Sequence, residues 1–404
     1  MKRVKKLLAI AVLFLTIPGF VRAADFGLVI EQRASFGGVT GSDSNFEYTG
    51  VLSPRFSALI GDYGELFISA GIGLRYEYEE WAFVPELLRT EFHWIFNTGS
   101  FRVGRMHYSD PLGFITAGLF DGARITFNTM AGDFSAGAWY TGFLFKERAN
   151  IAMNAIEREQ QDVPVDFGNF VDTYFAPRRA IAALDWTHSS VGGGFLRAAL
   201  SAIGQFDLTG EDLHSQYLAA RFTLPQGAFT FNFGGGLGFA QVSGADNQTF
   251  FAGEAGVEWI LPTVFASQIS LLGRYTSGVS SGGGVNAFLP VTTIRQSPIL
   301  QPGVQGLTMI AMHYAARVNR EFALTLSSFY FIRNDLYTND SYVSIDSNSG
   351  HFMGNEFFAR FFWMPFSDVH FNLGGGIFLP SMGNVAPNLG NAWRIELGLS
   401  VSLF

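Results

Sequence analysis

Along most of this chain apolar residues recur at every second position, and this constrains its fold more than any other feature. A period of two is that of an extended strand with one greasy face, not of a helix. The best competing segment, Gly227 to Ala245, carries no charge. Yet it reads Phe229-Thr230-Phe231-Asn232-Phe233 and then Gly234-Gly235-Gly236. Three glycines and an asparagine in its middle disfavour a helix, and no other segment past the first residues approaches the ~20 apolar residues of a helical span. Where hydrocarbon is the solvent and helices fail, the backbone is satisfied only by a closed barrel.

The N-terminus points to export. Lys2, Arg3, Lys5 and Lys6 precede an apolar run from Leu7 to Leu15, broken by Pro18 and Gly19, and Val21-Arg22-Ala23 offers the small residues a signal peptidase reads. The expected division is an export signal over 1–23, cleaved after Ala23, and one barrel domain over 24–404. The chain has no cysteine, so no disulfide contributes to its stability.

Composition agrees with a lipid-facing wall. There are 43 Phe and 47 Gly, and only 15% of residues are charged. A soluble two-sheet sandwich would also alternate, but it needs a more heavily charged outer surface. Five of the 26 basic residues lie in the export segment, so 21 basic and 34 acidic residues remain, a net charge of −13. An acidic chain in which Lys146 is the single remaining lysine is a poor partner for nucleic acid.

Alternating segments of about ten residues, the length of a membrane-crossing strand, fall at 26–36, 46–59, 65–77, 83–96, 101–108, 119–128, 134–145, 177–189, 195–208, 214–224, 228–242, 249–261, 267–279, 307–318, 322–333, 355–366, 369–380 and 391–404. Even-numbered segments are followed by short turns such as Gly61-Asp62-Tyr63-Gly64 and Pro225-Gln226-Gly227. Odd-numbered ones are mostly followed by longer connections, the longest at 146–176, 280–306 and 334–354. Alternation of short turns and long loops is that of an antiparallel up-and-down transmembrane barrel of about 18 strands, or 16 if two weak segments are loop. Ala149 to Gln161 has weak helical amphipathicity, and the Gly/Ser-rich 277–285 stretch reads as flexible. Trp81, Trp94, Tyr108, Trp363 and Trp393 lie near segment ends, where interfacial girdles belong.

Parity assigns each side chain a face. In the third segment Ile68, Ala70, Ile72 and Leu74 oppose Ser69, Gly71, Gly73 and Arg75. Placed this way, the lumen holds Arg33, Arg55, Arg75, Arg89, Arg124, Arg197, Arg221, Arg274, Arg317, Arg360 and Arg394, against Glu31, Glu77, Glu91, Glu254, Glu258 and Glu396. The wall is net basic in a net acidic chain. Guanidinium groups stay charged and grip carboxylates bidentately. The alternative is that each arginine only matches a glutamate and fixes strand register.

The chain closes Ala392-Trp393-Arg394-Ile395-Glu396-Leu397-Gly398-Leu399-Ser400-Val401-Ser402-Leu403-Phe404. A terminal strand ending in Phe resembles the assembly signal of outer-membrane porins, which implies that the barrel-assembly machinery reads Phe404. Here the apolar alternation runs one position out of phase with that Phe. Phe101-Arg102-Val103-Gly104-Arg105 with Gly118-Leu119-Phe120-Asp121-Gly122-Ala123-Arg124 is similar to a pattern of alginate-export-type porins, large arginine-lined barrels; the resemblance covers about 25 residues and implies anionic cargo.

No constellation for catalysis stands out. The seven histidines have no metal-ligand spacing, and the glycine triplets open no helix as a phosphate loop would. The chain is therefore expected to be neither an enzyme nor a cofactor binder. Two readings remain: a channel for small polar, anionic solutes through an arginine-lined lumen, or a surface adhesin or structural barrel acting through its long loops. Expected partners are outer-membrane lipid with lipopolysaccharide or its equivalent, the assembly machinery and small solutes. No feature demands an oligomer or excludes one.

Overall fold

The structure, a computed structural model, describes residues 21–403 apart from 43, 78–79, 154, 162, 211–212, 243–245, 264, 281–283 and 337–349. Residues 1–20, most of the segment expected to be an export signal, and Phe404 lie outside the described residues. Eighteen strands follow one another: β1 Val21–Val39, β2 Ser44–Ile60, β3 Gly64–Glu77, β4 Glu80–Phe96, β5 Gly99–Ser109, β6 Ala117–Thr129, β7 Gly132–Tyr140, β8 Arg179–His188, β9 Arg197–Asp207, β10 Leu213–Gln226, β11 Phe229–Val242, β12 Gln248–Leu261, β13 Ala266–Thr276, β14 Leu307–Arg317, β15 Phe322–Arg333, β16 Phe352–Phe366, β17 Val369–Leu379 and β18 Ala392–Leu403. Each pairs antiparallel with its neighbours in sequence, and β18 returns to β1, Leu28–Val39 lying against Ala392–Leu403. The sheet is closed and has no free lateral edge along this seam, as hydrocarbon requires. No helix among the described residues is long and apolar enough to cross a membrane.

The expected segments match these strands, with shifts at loop ends and at the start of β1, which begins at Val21 rather than 26. β7 stops at Tyr140 rather than 145, and β13 at Thr276 rather than 279. In both cases a threonine hydroxyl takes over the ladder. Thr141 Oγ1 accepts from Arg179 N at 2.8 Å, and Thr276 Oγ1 accepts from Leu307 N at 3.0 Å. At the other end the turns are tight, with Gly61 and Gly227 in the left-handed region their geometry demands.

The outer face carries an exposed apolar belt. Leu218 and Leu237 are more than 60% exposed, and Leu271, Met312 and Leu397 are also open. A belt of this extent suits lipid rather than water. Aromatic clusters mark both ends of it: Tyr63 with Trp94 and Phe229 with Trp259 at the short turns, Tyr48 and Tyr76 around Trp81 at the loop end. Tyr108 is not part of a girdle. It is 1% exposed and stacks on Trp139 at 4.3 Å, on the inner face.

One stretch of wall is incomplete. β4 and β5 pair only over Thr90–Phe96 against Gly99–Arg105, so Glu80–Arg89 lacks a partner on that side. Arg105 fills the break. It holds Asp121 bidentately, with Nε at 2.9 Å and Nη2 at 2.7 Å, and donates to the Leu87 carbonyl and to that of Phe143. The Tyr174 hydroxyl donates to the Pro85 carbonyl at 2.7 Å. Proline suits a strand position without a ladder partner. Replacing Arg105 by Leu would leave Asp121 and two carbonyls without their partner, a loss of about 3–5 kcal/mol for breaking a buried pair. Urea unfolding of the refolded barrel should show it, with partial recovery when Asp121→Asn is added; an unchanged midpoint would reject the role.

Candidate functional site

Three connections at the loop end fold into the barrel and meet one another. The first, 110–116, joins β5 to β6. The second, 141–178, contains α1 Lys146–Ala149, α2 Ala155–Gln161 and α3 Phe170–Tyr174. The helix expected over 149–161 is thus broken, because Ile151 pairs with Thr292 as an isolated bridge. The third, 277–306, joins β13 to β14. Val291 N donates to the Ile115 carbonyl at 2.7 Å, Ala152 N to that of Val291 at 3.0 Å, and Thr293 N to that of Asn150 at 2.6 Å. Each loop supplies the others' backbone partners, so the three behave as one constriction.

The wall is shaped to receive them. Leu112, Phe114, Ile115, Phe288 and Val291 form one buried cluster with Tyr108, Phe120, Tyr217, Phe250 and Ala252 of the strands. Gly234 and Gly236 lie under the first loop, where a Cβ at Gly234 would overlap the Leu112 side chain. That is the close approach the glycine triplet allows. The Gly/Ser-rich stretch begins tied down: Ser277 is fully buried, its N donates to Phe251 O at 2.9 Å, and Val279 N donates to Asp335 at 2.7 Å.

Buried carboxylates and one arginine pin each loop. Asp110, 4% exposed, accepts from the N–H groups of Leu112, Gly113, Ile115 and Thr116 at 2.7–3.0 Å. Burial raises its carboxyl above the usual range more than these four donors lower it. Arg179 of β8, fully buried, joins Asp207 of β9 at 2.6 Å to Glu157 of α2 at 2.6 and 2.7 Å. Glu356 of β16 accepts from Ser297 Oγ at 2.7 Å, Ile299 N at 3.0 Å and Leu300 N at 2.9 Å.

A charged basin lies at the constriction, between the third loop and the wall. It has about 430 Å³ of open volume, and its charged lining is Arg33, Arg295, Arg360 and Arg394 against Glu47 and Glu396. Glu396 is shared by Arg33 at 2.6 Å, Arg360 at 2.7 Å and Arg394 at 3.0 Å, while Arg394 also reaches Glu47 at 2.9 Å. The formal charge is +2, four guanidinium groups to two carboxylates. Ser35 and Thr49 add hydroxyls.

The other candidates from the sequence divide. Arg221 and Arg274 share Glu254 at 3.6 and 3.0 Å, and Arg274 lies over the Phe114 ring at 4.3 Å. Arg124 pairs with Asp185 at 3.1 Å, and Arg89 with Glu91 at 2.6 Å. Arg75 pairs with Glu147 of the second loop and lies over Phe145. Glu258 accepts from Asn232 at 3.3 Å. Arg317 bonds turn carbonyls at Asn319 and Arg320. Arg55 and Arg197 have no carboxylate within ion-pair distance among the described residues and do not join the basin. Sequence reasoning missed Arg295, Glu356, Asp110 and Arg179. The first three lie outside parity's reach or read as isolated acids, and Arg179 opens its strand beside long-range partners. In the arginine–glycine motif, Arg105 and Asp121 form the pair in the wall and Arg102 lies 3.4 Å from Glu91.

No protein-family model and no curated protein matches the chain. Solved structures do. Pseudomonas aeruginosa OccK5 (OpdH) shares 11% identity over 95% of this chain and 99% of its own, with a TM-score of 0.63. OccK2 (OpdF) of the same organism, crystallised in complex with glucuronate, shares 12% over 95% and 99%, with a TM-score of 0.60. The outer membrane protein OpdK, also from Pseudomonas aeruginosa, shares 11% over 95% and 100%, with a TM-score of 0.61. At this identity the likeness is one of architecture: the chain has the 18-stranded fold of these barrels along nearly its whole length.

Proposed function

We propose that this chain is an outer-membrane channel for small polar solutes, with a preference for anions, through an arginine-lined lumen. The carrying observation is the basin at the constriction, with four guanidinium groups and two carboxylates beside the inward loops. An anion entering a narrow, low-dielectric passage loses hydration, and fixed guanidinium groups offset that cost with charge-assisted bonds. The apolar belt and the closed sheet support the membrane setting, and the fold is shared with outer-membrane barrels, one of them crystallised with glucuronate. The motif likeness to alginate-export-type porins points the same way on cargo charge. An export signal ending at Ala23 and an assembly signal at Phe404 complete the reading.

Planar-bilayer recordings in a potassium chloride gradient test it. The wild type should pass chloride in preference to potassium. Replacing Arg33, Arg360 and Arg394 by Ser leaves Arg295 against Glu47 and Glu396, formally −1. The chloride-to-potassium permeability ratio should fall about tenfold, the change that roughly 1.4 kcal/mol of differential entry energy produces. Wild-type and variant reversal potentials that coincide would reject the anion preference; absence of discrete conductance steps would reject the channel.

A further inference from the structure

Glu356 is a buried acid in a lumen where Glu91, Glu254 and Glu396 each face an arginine. It is fully buried, and its strand neighbours across the ladder are Phe329 and Phe378, both also buried. No arginine or lysine lies within ion-pair distance of it among the described residues. Its three hydrogen bonds all go to the third loop, to Ser297, Ile299 and Leu300. The loop then closes on itself. Gln301 N donates to Ser297 Oγ at 3.3 Å, Gln296 N to the Pro302 carbonyl at 3.1 Å, and Arg295 Nη1 to Gln301 Oε1. Gln301 is held at φ 51°, a left-handed conformation that a side-chain-bearing residue adopts at a cost of about 1–3 kcal/mol when its surroundings impose it. The chain of contacts runs from Glu356 through Ser297 and Gln301 to Arg295, and Arg295 is the single basin arginine carried by a loop rather than by the wall.

We propose that Glu356 is a positioning residue for selectivity: it holds the third loop so that Arg295 faces the wall arginines across the basin. This rests on the anion-channel reading above. It makes a prediction opposite in sign to simple charge. A buried acid acting only as a charge opposes anions, so neutralising it should raise anion preference. A buried acid that positions Arg295 should, when neutralised, lower it.

The experiment compares wild type, Glu356→Gln, Arg295→Gln and the double variant by reversal potential in a potassium chloride gradient, after heat-shifted gel mobility has shown each barrel folded. Glu356→Gln should lower the chloride-to-potassium permeability ratio at least twofold, toward the Arg295→Gln value. The double variant should lose no more than Arg295→Gln alone, since residues acting in series are non-additive. A Glu356→Gln barrel as anion-preferring as wild type, or more so, overturns the proposal, as does full additivity. A second measurement stands apart from selectivity. The chain has no cysteine, so a single Leu300→Cys, buried in the wild-type background, reports loop opening through its thiol-labelling rate. Glu356→Gln should raise that rate about tenfold; an unchanged rate overturns the positioning role. A wild type without anion preference whose loop still opens in Glu356→Gln would reject the channel's selectivity while sparing the anchor.

Discussion

Replacing Arg179 by Ala is expected to free the 141–178 loop from the barrel mouth and raise single-channel conductance. Arg179 is fully buried and joins two carboxylates from different elements, Asp207 on the wall and Glu157 on α2, at 2.6 Å each. Among the described residues its Nε finds no hydrogen-bond partner. Removing the guanidinium takes away the bridge between two buried acids, Asp207 and Glu157. Breaking a buried pair in this way costs about 3–5 kcal/mol, and even the lower figure shifts the docked-to-released ratio by about a hundredfold. α2 then leaves the lumen. Trypsin reports the release directly, because Arg158 on α2 becomes a cleavable site once the helix unravels. Arg178, exposed beside it, is the control, and Arg178→Ala should change neither readout. Conductance and cleavage matching wild type in Arg179→Ala would remove Arg179 as the anchor.

Asp110→Ala is expected to collapse the first loop. Four backbone N–H groups converge on this one carboxylate. An orphaned buried donor costs about 1–3 kcal/mol, and lumen water recovers part of that, so a net loss of about 3 kcal/mol is expected from the four. Leu112 and Ile115 would then leave their places over Gly234 and Gly236. A Leu112→Cys reporter, buried in the wild-type background, should label about a hundredfold faster once Asp110 is replaced. Since Val291 N depends on the Ile115 carbonyl, the third loop should loosen with it. Equal labelling in both backgrounds would sink the idea.

The strands were legible in the sequence because their signal is local. Ile68 to Arg75 alternate face by face, and the structure puts Arg75 on the side of the inward loops, opposite Thr49 of β2. Short turns such as the one at Gly61 carry their own geometry. The constriction was not legible, for a physical reason. Its anchors are contacts between residues far apart in the chain: Glu356 holds Ser297 and Leu300, Arg179 holds Glu157, and no periodicity records which loop an acid will reach. One trace was present. Phe250-Phe251 puts aromatic groups on both faces of β12, and Phe357-Phe358 does so on β16. A strand that is greasy on both sides has something apolar to meet inside, and here Phe250 meets Phe288 of the third loop at 5.5 Å. Parity likewise indicated a basic lumen but not where the excess concentrates. Glu396 draws Arg33, Arg360 and Arg394 together, while Arg55 and Arg197 stand apart.

The placement of Glu396 has a consequence for how the molecule is made. It lies on the last strand, 363 residues from Arg33 on the first, and the two side chains meet only when β18 has sealed against β1. Arg394 of the same strand reaches past the seam to Glu47 on β2. A cylinder zipped one residue out of step would turn Glu396 and Arg394 together toward hydrocarbon and strand the guanidinium groups of Arg33 and Arg360. In the proposed channel the charges that line this basin are therefore tied to the final join, so a substitution there is expected to alter closure of the sheet as well as permeation.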